Sequence, residues 1–207
     1  MTLKFHYFDG FYAKGDAIRM ILAKGKVAWE DNRIAYADWP NHKASMPNGQ
    51  VPAIELEDGT KRGESKAIIR YVAMKNGFYP DDPWEAAVTD EAIDTWSEIL
   101  AKTYPPAFAQ DEETKAKLID ACFEAHGKFL KAFDAQFAKG FLCGDKLTAG
   151  DFCLGSFYTN YYANPSVGFA ADRWKALLDE HPNFKAYGEK FAAELADYLS
   201  TRPSYAI

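Results

Sequence analysis

The stretch NGQVPAIELEDGT, residues 48–60, decides how the first part of the chain folds. Residues 52–56 and 60–62 flank Glu57-Asp58-Gly59, a turn signal between two short strands, so the stretch predicts a hairpin. A proline nevertheless stands where the first strand begins. Pro52 cannot donate a ladder hydrogen bond, and a strand accepts it only at its first residue, on an edge or at a bulge. The surrounding chain has to explain its place there.

Upstream, residues 3–8 (LKFHYF) alternate sides and suit a strand. Residues 16–24 (DAIRMILAK) have helical spacing with Asp16 as the expected N-cap, and residues 26–34 return to a strand pattern. This opening is a βαβ unit. A polar segment, 35–49, leads into the hairpin, and residues 65–75 (SKAIIRYVAMK) are helical again. Gly77, Pro80 and Pro83 punctuate the connection that follows.

Beyond it, apolar residues recur at helical intervals: Trp84, Val88, Trp96 and Leu100, then Cys122, Phe129, Phe133 and Phe137, then Phe184, Tyr187, Phe191 and Leu195. Thr148 followed by Asp151 is an acidic capping box with Leu147 and Phe152 as a hydrophobic staple, and predicts a buried helix from about residue 149. The expected organisation is an α/β domain over 1–78, a linker at about 77–83 and an all-α domain over 84–207.

Of the 207 residues, 48% are hydrophobic and 15% aromatic, enough for packed cores. A formal charge of −6 without a basic run argues against a nucleic-acid partner. No apolar run is long enough to span a membrane, and the N-terminus MTLKFHYF lacks a signal-peptide pattern. Cys122, Cys143 and Cys153 have no metal or CxxC spacing, and the four histidines are dispersed. The expectation is a cytoplasmic protein with unpaired thiols and no metal or cofactor.

Tyr7, Ala37-Asp38-Trp39-Pro40 with Lys43, Gly49-Gln50-Val51-Pro52, the run from Glu64-Ser65 to Arg70-Tyr71, and Thr148-Ala149-Gly150-Asp151-Phe152 occur in an order and spacing that resemble the cytosolic glutathione transferases along the full length. Among their classes the sequence is most similar to the sigma class, which includes the haematopoietic prostaglandin D synthases. The resemblance implies an α/β thioredoxin-like N-terminal domain followed by an all-α C-terminal domain, with a cis Val51–Pro52 bond. Val51 would then pair its backbone with the cysteinyl part of glutathione, as in strand addition. Glu64 and Ser65 would hold the γ-glutamyl carboxylate at a helix start. Trp39, Lys43 and Gln50 would contact the peptide and glycyl portions.

The same resemblance makes Tyr7 the catalytic residue. A free thiol has a pKa near ~8.5 and reacts as its thiolate. A hydrogen bond to a charged group is worth about 1.5–3 kcal/mol, enough to lower that pKa by about one to two. Lys14 stands in for an arginine that supports the tyrosine in the family, and Tyr12 in the same loop is a second hydroxyl near the sulfur. The electrophile pocket is expected from Phe11, Tyr12, Tyr104, Phe108 and Tyr205. The resemblance also implies a homodimer in which Glu98 of the partner subunit meets the glutathione α-amino group. Asn48 replaces the aromatic key of other classes, so a more polar contact is expected. Conjugation to small apolar electrophiles is the implied activity, with peroxidase activity beside it, and glutathione serves as co-substrate. A prostaglandin-type isomerase and a non-catalytic binding or structural relative are the alternatives.

Overall fold

The structure, a computed structural model, describes residues 3–205. Strand β1 (Leu3–Phe8) is central, with β2 (Trp29–Ile34) parallel on one side and β3 (Ala53–Glu55) antiparallel on the other. β4 (Lys61–Arg62) completes a sheet of order β2-β1-β3-β4. A parallel β1–β2 pair needs a crossover, and helix α1 (Ala13–Lys24) supplies it.

The two-residue period of β1 puts Phe5 and Tyr7 on one face and His6 on the other. On the first face α1 buries Ile18, Ile21 and Leu22 against Ile68, Ile69 and Val72 of α3 (Ser65–Lys75). On the second face the segment 35–49, which holds the short helix α2 (Trp39–Lys43), packs Met46 onto Ile34 and Ala53. His6 is buried there between Glu55 (3.0 Å) and the Asn32 amide (2.7 Å).

The second half consists of α4 (Pro83–Thr103), α5 (Glu112–Phe137), α6 (Ala149–Phe157), α7 (Ala171–Asp179), α8 (Pro182–Glu194) and α9 (Ala196–Thr201). A π-type turn, Tyr158–Tyr162, extends α6. Every residue of α6 is buried, and its predicted capping box is present, with the Thr148 amide 2.8 Å from Asp151. Asp151 also accepts from the Leu142 amide (3.0 Å) and the Tyr187 hydroxyl (3.1 Å), so one carboxylate ties the helix start to its neighbours. α1 and α3 pack on α4 and α6, and one apolar core runs through both halves. Among the described residues no helix is long and apolar enough to cross a membrane.

Two boundaries differ from the sequence reading. α1 begins at Ala13, and Asp16 is not its cap: its carboxylate is buried in the first turn, where Tyr198 and Arg202 donate to it. β2 begins at Trp29 because residues 25–27 close α1 in a Schellman turn. Lys26 takes a left-handed φ of 51°, its amide bonds to Ala23, and the Val27 amide bonds to Leu22. The hairpin strands are also shorter than expected. Gly59 (φ +81°) makes the turn and the Leu56 amide bonds to the Thr60 carbonyl at 2.9 Å.

Candidate functional site

A cavity of about 550 Å³ opens where the C-terminal end of β1 meets α2, the Val51–Pro52 loop and the end of α4. Tyr7 forms its floor. Its ring lies nearly parallel to Phe5, with centroids 6.2 Å apart, and the Arg19 guanidinium sits 5.6 Å from the ring centroid. The Lys14 amide donates to its oxygen at 3.1 Å. Gly15, in the first turn of α1, passes so close that a Cβ there would lie 2.4 Å from Tyr7 Cδ1. Burial raises the Tyr7 pKa above the usual phenol range, against the opposing pull of the Lys14 amide and the Arg19 charge. The group therefore stays protonated near neutrality, and among the described residues nothing accepts its proton. It is a protonated hydroxyl held at the cavity floor.

One wall comes from the segment around α2: Trp39, Lys43, Gly49, Gln50 and Val51. The Val51–Pro52 bond is cis. Gly49 takes a left-handed φ of +61° beside the Lys43 side chain, a conformation that favours glycine. The neighbouring Asn48 has φ 53° and ψ 18°, a left-handed conformation that asparagine tolerates. The opposite wall is aromatic. Phe11 from the loop before α1 stacks on Phe108 from the helical half, 6.2 Å apart at 16°, with Tyr104 and Ala107 beside them. Polar and charged donors line one side and apolar rings the other.

The cavity thus gathers Tyr7, Phe11, Lys14, Trp39, Lys43, Gln50, Val51, Tyr104 and Phe108. It does not gather Tyr12 or Tyr205, expected in the electrophile pocket. Tyr12 is buried, its hydroxyl donating to the Pro203 carbonyl (3.0 Å) and accepting from the Tyr205 amide (3.1 Å). The Tyr205 hydroxyl donates to Asp9 at 2.8 Å and accepts from Arg33. Both rings are held by the end of the chain, outside the cavity lining.

Pro52 and Ser65 are buried outside the lining, Ser65 as the first residue of α3 after Glu64, which has φ 67°. Glu98 is exposed on α4. Sequence reasoning did not anticipate Phe8, Ala13, Tyr36, Gly49 and Ala107 in the lining, nor Arg19 beneath Tyr7. Arg19 is 1% exposed, and its Nε donates to both oxygens of Asp31 at 3.1 Å. The signal for it was a lone charge inside the apolar run from Ala17 to Leu22. Lys14, expected to supply the supporting charge, supplies its backbone amide to the Tyr7 oxygen.

A small mixed sheet with a cis-proline loop, joined to a helical half across a cleft floored by a tyrosine, defines a thioredoxin-like domain carrying an all-helical one. The family model "Glutathione S-transferase, C-terminal domain" matches residues 95–194. The chain is 34% identical to probable glutathione S-transferase 7 of Caenorhabditis elegans, over 96% of this chain and 97% of that protein. It is 28% identical to hematopoietic prostaglandin D synthase of Gallus gallus, over 99% of this chain and 98% of that one. Among solved structures, monomeric Na-GST-3, a glutathione S-transferase of the hookworm Necator americanus, superposes with a TM-score of 0.83 at 29% identity, covering 100% of both chains. The chain belongs to the glutathione S-transferase family.

Proposed function

We propose that this protein is a glutathione transferase that binds glutathione along the Trp39–Lys43–Gln50–Val51 wall and ionises its thiol through the Tyr7 hydroxyl. The observation that carries the reading is Tyr7 itself: a buried, protonated phenol at the cavity floor whose oxygen is fixed by the Lys14 amide. A thiolate is a far better nucleophile than a thiol, and a hydroxyl aimed at the sulfur stabilises the charged form. The Val51 backbone pairs with the cysteinyl residue, and Lys43, Trp39 and Gln50 take the glycyl end. The amides at the start of α3, with Glu64 and Ser65 beside them, take the γ-glutamyl end. The Phe11–Phe108–Tyr104 wall receives a small apolar electrophile. Glu98 of the partner subunit completes the site at the α-amino group.

The test is conjugation of chlorodinitrobenzene by Tyr7→Phe protein. Loss of a hydrogen bond to a charged sulfur removes about 1.5–3 kcal/mol, so kcat/KM at neutral pH falls by about ten- to a hundredfold and the pKa of the bound thiol rises. Unchanged kcat/KM would refute the assignment. The similarity to the chicken prostaglandin D synthase favours a second reading, in which the same thiolate isomerises a prostaglandin endoperoxide. Faster glutathione-dependent turnover of that substrate than of any aryl halide would select it.

A further inference from the structure

The chain end returns to the loop that precedes α1. Arg202 anchors it: the guanidinium donates to Asp16, to Asn160 (2.7 Å) and to the Thr159 carbonyl (2.9 Å), and lies 4.3 Å from the centroid of the Tyr12 ring. Tyr198 donates to the other Asp16 oxygen at 2.5 Å. Further along, the Pro203 carbonyl and the Tyr205 amide both bond to the Tyr12 hydroxyl, and the Tyr205 hydroxyl reaches Asp9. The loop is therefore gripped at Asp9, Tyr12 and Asp16 by residues some 190 positions away in sequence.

Ala13, Lys14 and Gly15 lie between two of those grips. Lys14 supplies the amide on the Tyr7 oxygen, and Gly15 is the residue against the Tyr7 ring. Ala13 has φ 28°, where a side chain is strained. Such a residue persists only where its surroundings over-determine it. Asp16, 1% exposed, is a buried carboxylate that needs its cation.

We propose that residues 202–205 form a strap that positions the Tyr7 hydroxyl, with Arg202 and Tyr12 as positioning residues acting through the Ala13–Lys14–Gly15 turn. The proposal rests on the reading of Tyr7 as the donor to the glutathione sulfur. Tyr12→Phe removes two strap hydrogen bonds and keeps the ring under Arg202. Arg202→Gln removes the charge, and Arg202→Lys restores the charge without the fork.

Two quantities are measured in the full-length protein: exchange of the Lys14 amide hydrogen, relative to amides of α3, and the pKa of the bound glutathione thiol from its thiolate absorbance. Tyr12→Phe and Arg202→Gln are expected to speed Lys14 exchange about tenfold, the equivalent of one ordinary hydrogen bond. They are expected to raise the thiol pKa by about one, a tenfold weaker hold on the thiolate, with Arg202→Lys between Arg202→Gln and wild type. Tyr7→Phe is run alongside. If it raises the thiol pKa while the strap variants change neither quantity, the strap is refuted and the Tyr7 reading stands. If the strap variants lower Tm but leave Lys14 exchange level with α3, the segment is only structural and the proposal fails. If Tyr7→Phe itself leaves the thiol pKa unmoved, the Tyr7 reading fails and the strap's catalytic role with it. Should Arg202→Gln not fold, Tyr12→Phe and Arg202→Lys still decide the matter.

Discussion

The Tyr7 ring can lie where it does because the residue against it has no side chain. A methyl group on Gly15 would lie 2.4 Å from Cδ1 and 2.8 Å from Cγ, deep in a buried ring with nowhere to yield. Gly15→Ala is expected to push the hydroxyl off its place. Misplacement of a reacting group by about 1 Å can cost on the order of a hundredfold, so kcat/KM for chlorodinitrobenzene should fall by about that factor, and overpacking should lower Tm as well. Steady-state kinetics beside a melting curve check both. Tyr7, Trp39, Lys43, Gln50 and Val51 were legible in the sequence because each sits in or beside a contiguous motif whose backbone defines the cavity. Arg19 was not, because its role depends on a helix packing across β1. Tyr12 and Tyr205 were misplaced for a related reason. An aromatic residue near the site in sequence can turn toward it or away, and here the turn is set by partners at the opposite end of the chain.

At the scale of elements, the helical half is joined by a buried polar link. His126 of α5 donates its Nε2–H to Thr103 Oγ1 of α4 (2.9 Å), whose own hydrogen goes to the Ile99 carbonyl (2.8 Å), while Nδ1 accepts from Tyr162 of the π-type turn (2.8 Å). The neutral ring satisfies both neighbours. Burial lowers its pKa to about 3, from the ordinary 6.5. The unfolded chain therefore takes up a proton below about pH 6.5 that the folded chain refuses until about pH 3. Stability from this group is complete above the unfolded pKa and is lost as pH falls toward the folded one. The expected slope approaches about 1.4 kcal/mol per pH unit within that window. Urea unfolding at successive pH values, compared with His126→Gln, isolates it: the variant should be less stable at pH 7 but show a shallower acid decline. Strong local signals survived intact at this scale, such as the Thr148–Asp151 box and the helix Ser65–Lys75. The start of α1 did not, because Asp16 has a second use in tertiary structure that outweighs capping.

For the whole molecule, assembly bears most directly on the proposed site, since the proposal draws Glu98 from a second copy. Asn48, expected to replace the aromatic key of other classes, is exposed, while Trp84 is 76% exposed and Met74 57%. The related hookworm protein Na-GST-3 is described as monomeric. Light scattering is expected to give twice the chain mass at micromolar concentration, with Glu98→Gln then weakening glutathione binding. Monomer mass throughout would remove Glu98 from the site. The succession of elements along the chain and the change to helices after residue 83 were readable because periodicity reports them directly. Cavity shape was not, since it arises from Phe11 meeting Phe108 of the other half, far apart in sequence.

The outer face of the sheet carries only a small apolar nucleus, Ile34, Met46 and Ala53, set apart from the large one that encloses Tyr7. On the proposed reading, the residues that grip the tripeptide and the phenol that ionises it rest on different apolar clusters. Trp39 packs against the small nucleus and Tyr7 within the large one, so substitutions in 35–49 disturb the first packing before the second. On the proposed reading, changes in residues 35–49 should alter how long a tripeptide stays bound more than the acidity of its sulfur.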